Sequence, residues 1–174
     1  NPTLQNLEIF ENLENNLWRS TVNKKEQTAQ LYFYINYAFQ LKQLGFINES
    51  INYYEKGFSY YKKSAINYNI IEYCLKPLAN NYTRLGDVNR AEDIIKITIE
   101  QAVTEKNKDQ IASGYLNLAI VYWTKGANLE AINYLNLGLE NSNSNSQKAI
   151  INSNLAINYL IMMTMMGLKH PFLS

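Results

Sequence analysis

Three glycines at nearly equal intervals constrain this chain more than any other feature. Gly45, Gly86 and Gly126 stand 41 and 40 residues apart. A fixed period between about 20 and 50 residues marks stacked supersecondary units. Seven residues before each glycine stands an alanine, Ala38, Ala79 and Ala119, and the series extends to Ala156 in the segment NLAINYL. Small residues recurring at one helical phase mark places where helices approach closely, so all four alanines are expected at buried contacts. After each glycine the pattern runs small, large, small. Ser50, Ala91 and Ala131 come five residues on, Tyr54, Ile95 and Leu135 nine, and Gly57, Thr98 and Gly138 twelve. Such a register lets the second helix of each pair nestle on the first.

Between the glycines, Leu75, Leu78, Ala79 and Tyr82 repeat the spacing of Tyr115, Leu118, Ala119 and Tyr122. Intervals of three and four belong to amphipathic helix rather than strand. The glycines supply the positive φ that ends one helix, and Asp87 and Asn128 are the expected N-caps of the next. The spacing predicts a lead helix over 3–18 and helices over 26–44, 48–64, 68–85, 88–105, 109–125, 129–141 and 147–166. Pro77 should kink or restart the 68–85 helix, because an interior proline removes a backbone donor. Asn141–Ser146, of asparagine and serine only, reads as a flexible or turn-rich link. The expectation is one all-α helical repeat domain over 1–174: lead helix 1–25, repeats 26–66, 67–107 and 108–146, terminal helix 147–166 and tail 167–174.

The pattern Tyr34-x-x-Tyr37-Ala38, Leu75-x-x-Leu78-Ala79-x-x-Tyr82 and Tyr115-x-x-Leu118-Ala119-x-x-Tyr122, each followed by glycine and then a small residue, resembles the tetratricopeptide repeat. The likeness covers about residues 31–160. Its period exceeds the roughly 34 residues usual in that family and is similar to the lengthened repeats of kinesin light chains. The resemblance implies an α-solenoid of antiparallel helix pairs wound into a right-handed superhelix. A narrower likeness, carried by the opening NPTLQNLEIFENLENNLW, is to the N-terminal repeat segments of bacterial proteins that end in a CHAT protease domain. It implies a regulatory or oligomerisation segment whose catalytic residues stand elsewhere.

Charge and composition exclude several alternatives. With 16 basic and 15 acidic side chains, the net charge of +1 disfavours nucleic acid as a partner. One cysteine, Cys74, and one histidine, His170, supply neither a disulfide framework nor a zinc cage nor a histidine-dependent triad. No cofactor, metal or enzymatic activity is expected. Cys74, on an apolar helix, reads as a small buried hydrophobe. Glu8, Glu11 and Glu14 share one helix face but lack metal-binding histidines beside them. The longest apolar run, Leu160–Met166, falls well short of the roughly 20 residues that span a bilayer. No leader-like pattern opens the chain, and the compartment stays open.

A peptide or protein partner remains. The first-helix faces present Tyr32, Ile35, Asn36 and Phe39, then Tyr73, Lys76, Asn80 and Arg84, then Leu116, Asn117, Ile120 and Trp123. Their aromatics offer rigid anchor area and their carboxamides match peptide backbone, as an extended segment requires. In relatives that clamp a terminal carboxylate, Lys76, Asn80 and Asn117 match clamp positions, but Ile150 and Asn154 stand where two bases belong. At the other end of the pattern, Tyr159, Leu160, Met162, Met163 and Met166 cover nearly every helical phase. They are expected to meet either a continuation of the chain or a second copy, forming a homodimer through the C-terminal helix.

Overall fold

The computed structural model describes residues 23–167 together with Gln5, Glu8, Ile9 and Asn12. Most of the expected lead helix, including Glu11 and Glu14, and the tail with His170 lie outside the described residues; Glu8 is exposed. From residue 23 onward the order is α1 Lys24–Gln43, α2 Ile47–Lys63, a π-helical turn Ile71–Leu75 running directly into α3 Lys76–Arg84, α4 Val88–Thr104, α5 Lys108–Thr124, α6 Asn128–Asn141 and α7 Asn145–Met165. No strand occurs among the described residues, and no helix is long and apolar enough to cross a membrane. The chain divides into two compact units between Ile94 and Ile95.

The glycines work as the period demands. Gly45, Gly86 and Gly126 have φ of +88°, +76° and +75°. In each turn the glycine N–H donates three residues back, to Lys42, Thr83 or Trp123, and the next N–H donates five back, to Leu41, Tyr82 or Tyr122. This is the left-handed helix stop that glycine makes without steric cost. Two more turns share it. Lys106 closes α4 with φ +53°, and Gly167, 41 residues beyond Gly126, closes α7 with φ +67°.

Capping corrects one expectation. Asp87 caps α4, its Oδ1 accepting from the Arg90 N–H at 3.1 Å. Asn128 does not cap α6: the helix starts two residues after Gly126, with Asn128 already its first residue, so Ala127 holds the cap position without a side-chain bond. Asn128 instead donates from Nδ2 to Met165 Sδ at 3.6 Å. Asn23, in a capping box with Glu26, and Asn107 and Ser144 cap α1, α5 and α7.

The 68–85 helix restarts at Pro77 as expected: regular α-helix begins at Lys76, with the proline in its first turn, after the π turn Ile71–Leu75. The Lys76 N–H reaches five residues back to the Ile71 carbonyl, and this wider turn makes room for the proline ring in the first turn of α3. The Asn141–Ser146 segment is no loose link. Only Ser142–Ser144 leave the helices. Buried Ser142 bonds Gln147 at 2.7 Å, and Gln147 Nε2 donates to Ser113 Oγ at 2.8 Å and the Asp109 carbonyl at 3.1 Å.

In the first unit, α2 packs on α1, α3 and the π turn around Leu31, Tyr54, Ile70, Ile71, Leu75 and Leu78. In the second, α6 packs on α5 and α7 around Ala119, Ala131, Leu135, Ile151 and Leu155. Ala38, Ala79 and Ala119 are buried as expected, but Ala156 is exposed. The inward side of α7 carries Ile151, Leu155 and Asn158, and Ala156 falls off it. Counted seven residues before Gly167, the register position is Leu160 rather than Ala156.

Candidate peptide-binding site

The first unit gathers an aromatic and amide face. Along α1, Tyr32, Asn36 and Phe39 lie at i, i+4 and i+7 and are all exposed, forming one stripe. Ile35, expected among them, is only 4% exposed: it points to the opposite side, where it meets Gly57 of α2. Tyr73, 56% exposed, ends up beside the α1 stripe, and Asn80 and Arg84 are exposed further along α3. Lys76 is held by Glu72 at 2.8 Å, so its charge is already matched.

Tyr32, Asn36 and Tyr73 line a pocket of about 390 Å³ together with Asn67, Tyr68 and Asn69. The Tyr32 and Tyr68 rings meet edge to face at 5.1 Å, and Tyr68 and Tyr73 lie 5.8 Å apart at 48°. Asn69 Oδ1 accepts from the Glu72 N–H at 3.1 Å and caps the π turn, which leaves its amide N–H₂ for a ligand. Burial, and then the neighbouring Tyr32, hold the Tyr68 phenol well above the usual tyrosine range, so it remains a neutral donor. The pocket therefore offers rings, hydroxyls and carboxamides, and no charge. The segment Asn67-Tyr68-Asn69 escaped the sequence reading. Its signal was the position: it sits in the extra residues that lengthen the repeat between α2 and the π turn.

At the last turns of α1 and α3 the chemistry changes. Lys42 is half-buried, and burial and then the Arg84 charge lower its ammonium below the usual lysine range. Among the described residues neither cation has an acidic partner.

In the second unit, Ile120 and Trp123 are exposed on α5, Asn117 is half-buried, and Leu116 packs against the core. Tyr115 and Tyr122 are structural: both rings contact Tyr134, at 6.3 and 5.0 Å. Tyr82 is also buried, its hydroxyl donating to Glu55 and accepting from Arg90. Cys74 donates to the Tyr54 carbonyl at 3.3 Å, and burial pushes its thiol up to about 12, which makes it unreactive at neutral pH. On α7, Tyr159, Leu160 and Met166 are exposed, while Met162 and Met163 are half-buried. Met165 is the most open of them at 75% and, with Leu129, Met162 and Met166, lines a groove of about 280 Å³.

Solved structures share this arrangement of helices. The apo form of RapI superposes with a TM-score of 0.75 over 94% of this chain, at 15% identity. The chain has an α-solenoid helical-repeat fold. BtubC (BKLC) from P. vanneervenii follows with a TM-score of 0.66 over 93% of the chain, also at 15% identity. The repeat chain spans 45% of RapI and 65% of BtubC. At such identity the likeness speaks for the fold alone. No family model and no curated protein matches the sequence.

Proposed function

We propose that the α-solenoid is a protein-binding scaffold that holds an extended peptide segment of a partner on its first-helix faces, without a cofactor. One observation carries the reading: the exposed residues of those faces are aromatics and carboxamides, with Tyr32, Asn36, Phe39, Tyr73 and Asn80 in the first unit and Ile120 and Trp123 in the second. Folded proteins normally cover such side chains, and rigid rings beside amides suit an uncharged backbone with bulky side chains. A terminal-carboxylate clamp on Lys76 is disfavoured, because Glu72 already holds that ammonium. The test is selection of a random decapeptide library on the chain. Peptides held by the first unit should lose at least tenfold in affinity for Tyr73→Ala, and peptides held by the second should lose as much for Trp123→Ala, Asn117→Ala. They should keep it for Met165→Lys, Met166→Lys. Peptides indifferent to the first two variants would place binding elsewhere.

A second reading concerns α7. Gly167 repeats the turn that precedes α2, α4 and α6, and the second half of α7 exposes Ile157, Tyr159, Leu160 and Met165. This favours one more helix seated along Leu160, Met165 and Met166. If a second copy of the chain supplies it, light scattering at micromolar concentration gives twice the monomer mass, and Met165→Lys, Met166→Lys restores the monomer. A monomer in both forms leaves the chain's own continuation as the source. The likeness to CHAT-domain proteins rests on the opening residues alone, and no comparison adds to it.

A further inference from the structure

The pocket of about 390 Å³ in the first unit is lined by three tyrosines, Tyr32, Tyr68 and Tyr73, and three asparagines, Asn36, Asn67 and Asn69. Of their polar side-chain atoms only Asn69 Oδ1 is engaged among the described residues, accepting from the Glu72 N–H at 3.1 Å. Three phenols, two whole carboxamides and the Asn69 N–H₂ are left to meet a guest. Phenols and carboxamides both donate and accept, so they suit a partner whose own groups do the same. None of the six residues is ionic, and a phosphate or carboxylate would find no counter-charge here. The ring geometry narrows the guest further. Tyr32 and Tyr68 meet at 83° and Tyr68 and Tyr73 at 48°, so neither contacting pair forms a parallel slot for a flat base. Tyr73 and Tyr32 nevertheless keep open ring surface, at 56% and 48% exposure. The pocket's volume lies within the range of about 300–1,000 Å³ that small ligands occupy.

We propose that this pocket binds one neutral pyranose ring of an oligosaccharide, with the sugar's C–H face on the Tyr73 ring and its hydroxyls bonded to Asn36, Asn67 and Asn69. A pyranose joins an apolar C–H face to a rim of hydroxyls, each both donor and acceptor. A peptide backbone offers one donor and one acceptor per residue, spread over about 3.3 Å of extended chain, and would leave more of this array unmet. Tyr68 touches both neighbouring rings, at 5.1 and 5.8 Å, and holds their angles. The π turn presents Tyr73, and Asn69 caps that turn, so two lining residues are fixed by one local feature of a kind that gathers at functional sites. A free oligosaccharide and a glycan carried by a partner protein present the same ring.

The sugar site goes beyond the peptide-binding reading and does not depend on it, but the two share Tyr73. The full chain is titrated by calorimetry with neutral oligosaccharides of glucose, mannose, galactose, xylose and N-acetylglucosamine, and with sialylated and sulfated ones. At least one neutral series should bind, insensitive to salt, and the charged sugars should bind at least tenfold more weakly. Tyr73→Ala should lose at least tenfold in affinity and Asn67→Ala at least threefold. Tyr73→Phe and Trp123→Ala should keep it, all four at the parent's thermal midpoint. On the parent protein, saturation transferred from tyrosine ring protons should reach the C–H protons of one sugar face, a readout that needs no variant. The same sugar linked to an asparagine glycopeptide separates the sources: it binds at least tenfold tighter than the free sugar if the natural ligand is a protein-borne glycan, and equally if it is a free oligosaccharide. Absence of binding by every neutral sugar, or binding that survives Tyr73→Ala, overturns the site. Selected decapeptides that need Tyr73 and are displaced by no saccharide would also overturn it and leave the scaffold reading standing. Sugar binding on a chain that selects no peptide would do the opposite.

Discussion

Ser50 shows how one position serves packing and polarity together. The period marks it as a small residue where α2 approaches α1, and it is fully buried. Its hydroxyl donates to the Ala38 carbonyl at 2.7 Å and accepts from Asn81 Nδ2 at 2.9 Å. Thus the small-residue register also ties three helices, α1, α2 and α3, through one hydroxyl. Ser50→Ala preserves the size and strands the buried Asn81 amide, so it should lower stability by about 1–3 kcal/mol. Urea unfolding measures this. In the Asn81→Leu background the same change should cost far less, and equal costs in both backgrounds would show that the bond contributes nothing. The small size of Ser50 was legible from its spacing. Its partner was not, because asparagine is so frequent here that no single Asn stood out before the fold selected Asn81.

The elements were legible to within about two residues wherever periodicity and a glycine agreed, since helix ends are decided by local backbone chemistry. Expectations failed where one residue shifts the register. Asn128 missed the cap by one position, and the Ala156 series lost count because Gly167 was not recognised as a fourth turn. The turn between α4 and α5 carries the same geometry without a glycine. Lys106 sits at φ +53°, where a Cβ crowds the backbone. Lys106→Gly should therefore raise stability by about 0.5–1 kcal/mol, part of the relief being offset by the greater freedom of glycine when unfolded. A thermal midpoint that falls would mean that the Lys106 side chain makes a contribution its exposed position does not suggest. The pocket was half legible for the same reason. Tyr32, Asn36 and Tyr73 follow from helix phase, whereas Asn67, Tyr68 and Asn69 occupy a loop that no periodicity reports.

At the scale of the molecule, alkaline pH should act through the first unit. Cys74, Tyr54 and Tyr68 all lie there, and burial raises the pKa of each. Unfolded, the thiol ionises near 9 and the phenols near 10, while folded Cys74 holds its proton to about 12. Above pH 9 the unfolded chain therefore binds fewer protons than the native one, and stability falls as pH rises. The contribution is complete below pH 9 and disappears towards 12. For Cys74 alone the loss approaches roughly 1.4 kcal/mol per pH unit. Urea midpoints followed by circular dichroism should drop between pH 8 and 10.5, and Cys74→Ala should flatten part of that slope. A midpoint indifferent to pH over this range would contradict it.

The π turn at Ile71–Leu75 also bears on how such a chain changes over generations. A wide turn holds one residue more than regular α pitch needs, so it resembles an insertion that the helix has absorbed without losing phase downstream. Removing one residue from an ordinary buried helix rotates everything before it by about 100° and ruins its packing. Here the same loss restores regular pitch for Leu75, Leu78 and Tyr82, and it turns Tyr73 and the Asn67–Asn69 loop away from Tyr32 together with the buried Ile70 and Ile71. The pocket of Tyr32, Tyr68 and Tyr73 thus hangs on one codon: losing it keeps everything from Leu75 onward in phase, at the cost of the two buried isoleucines that open the π turn.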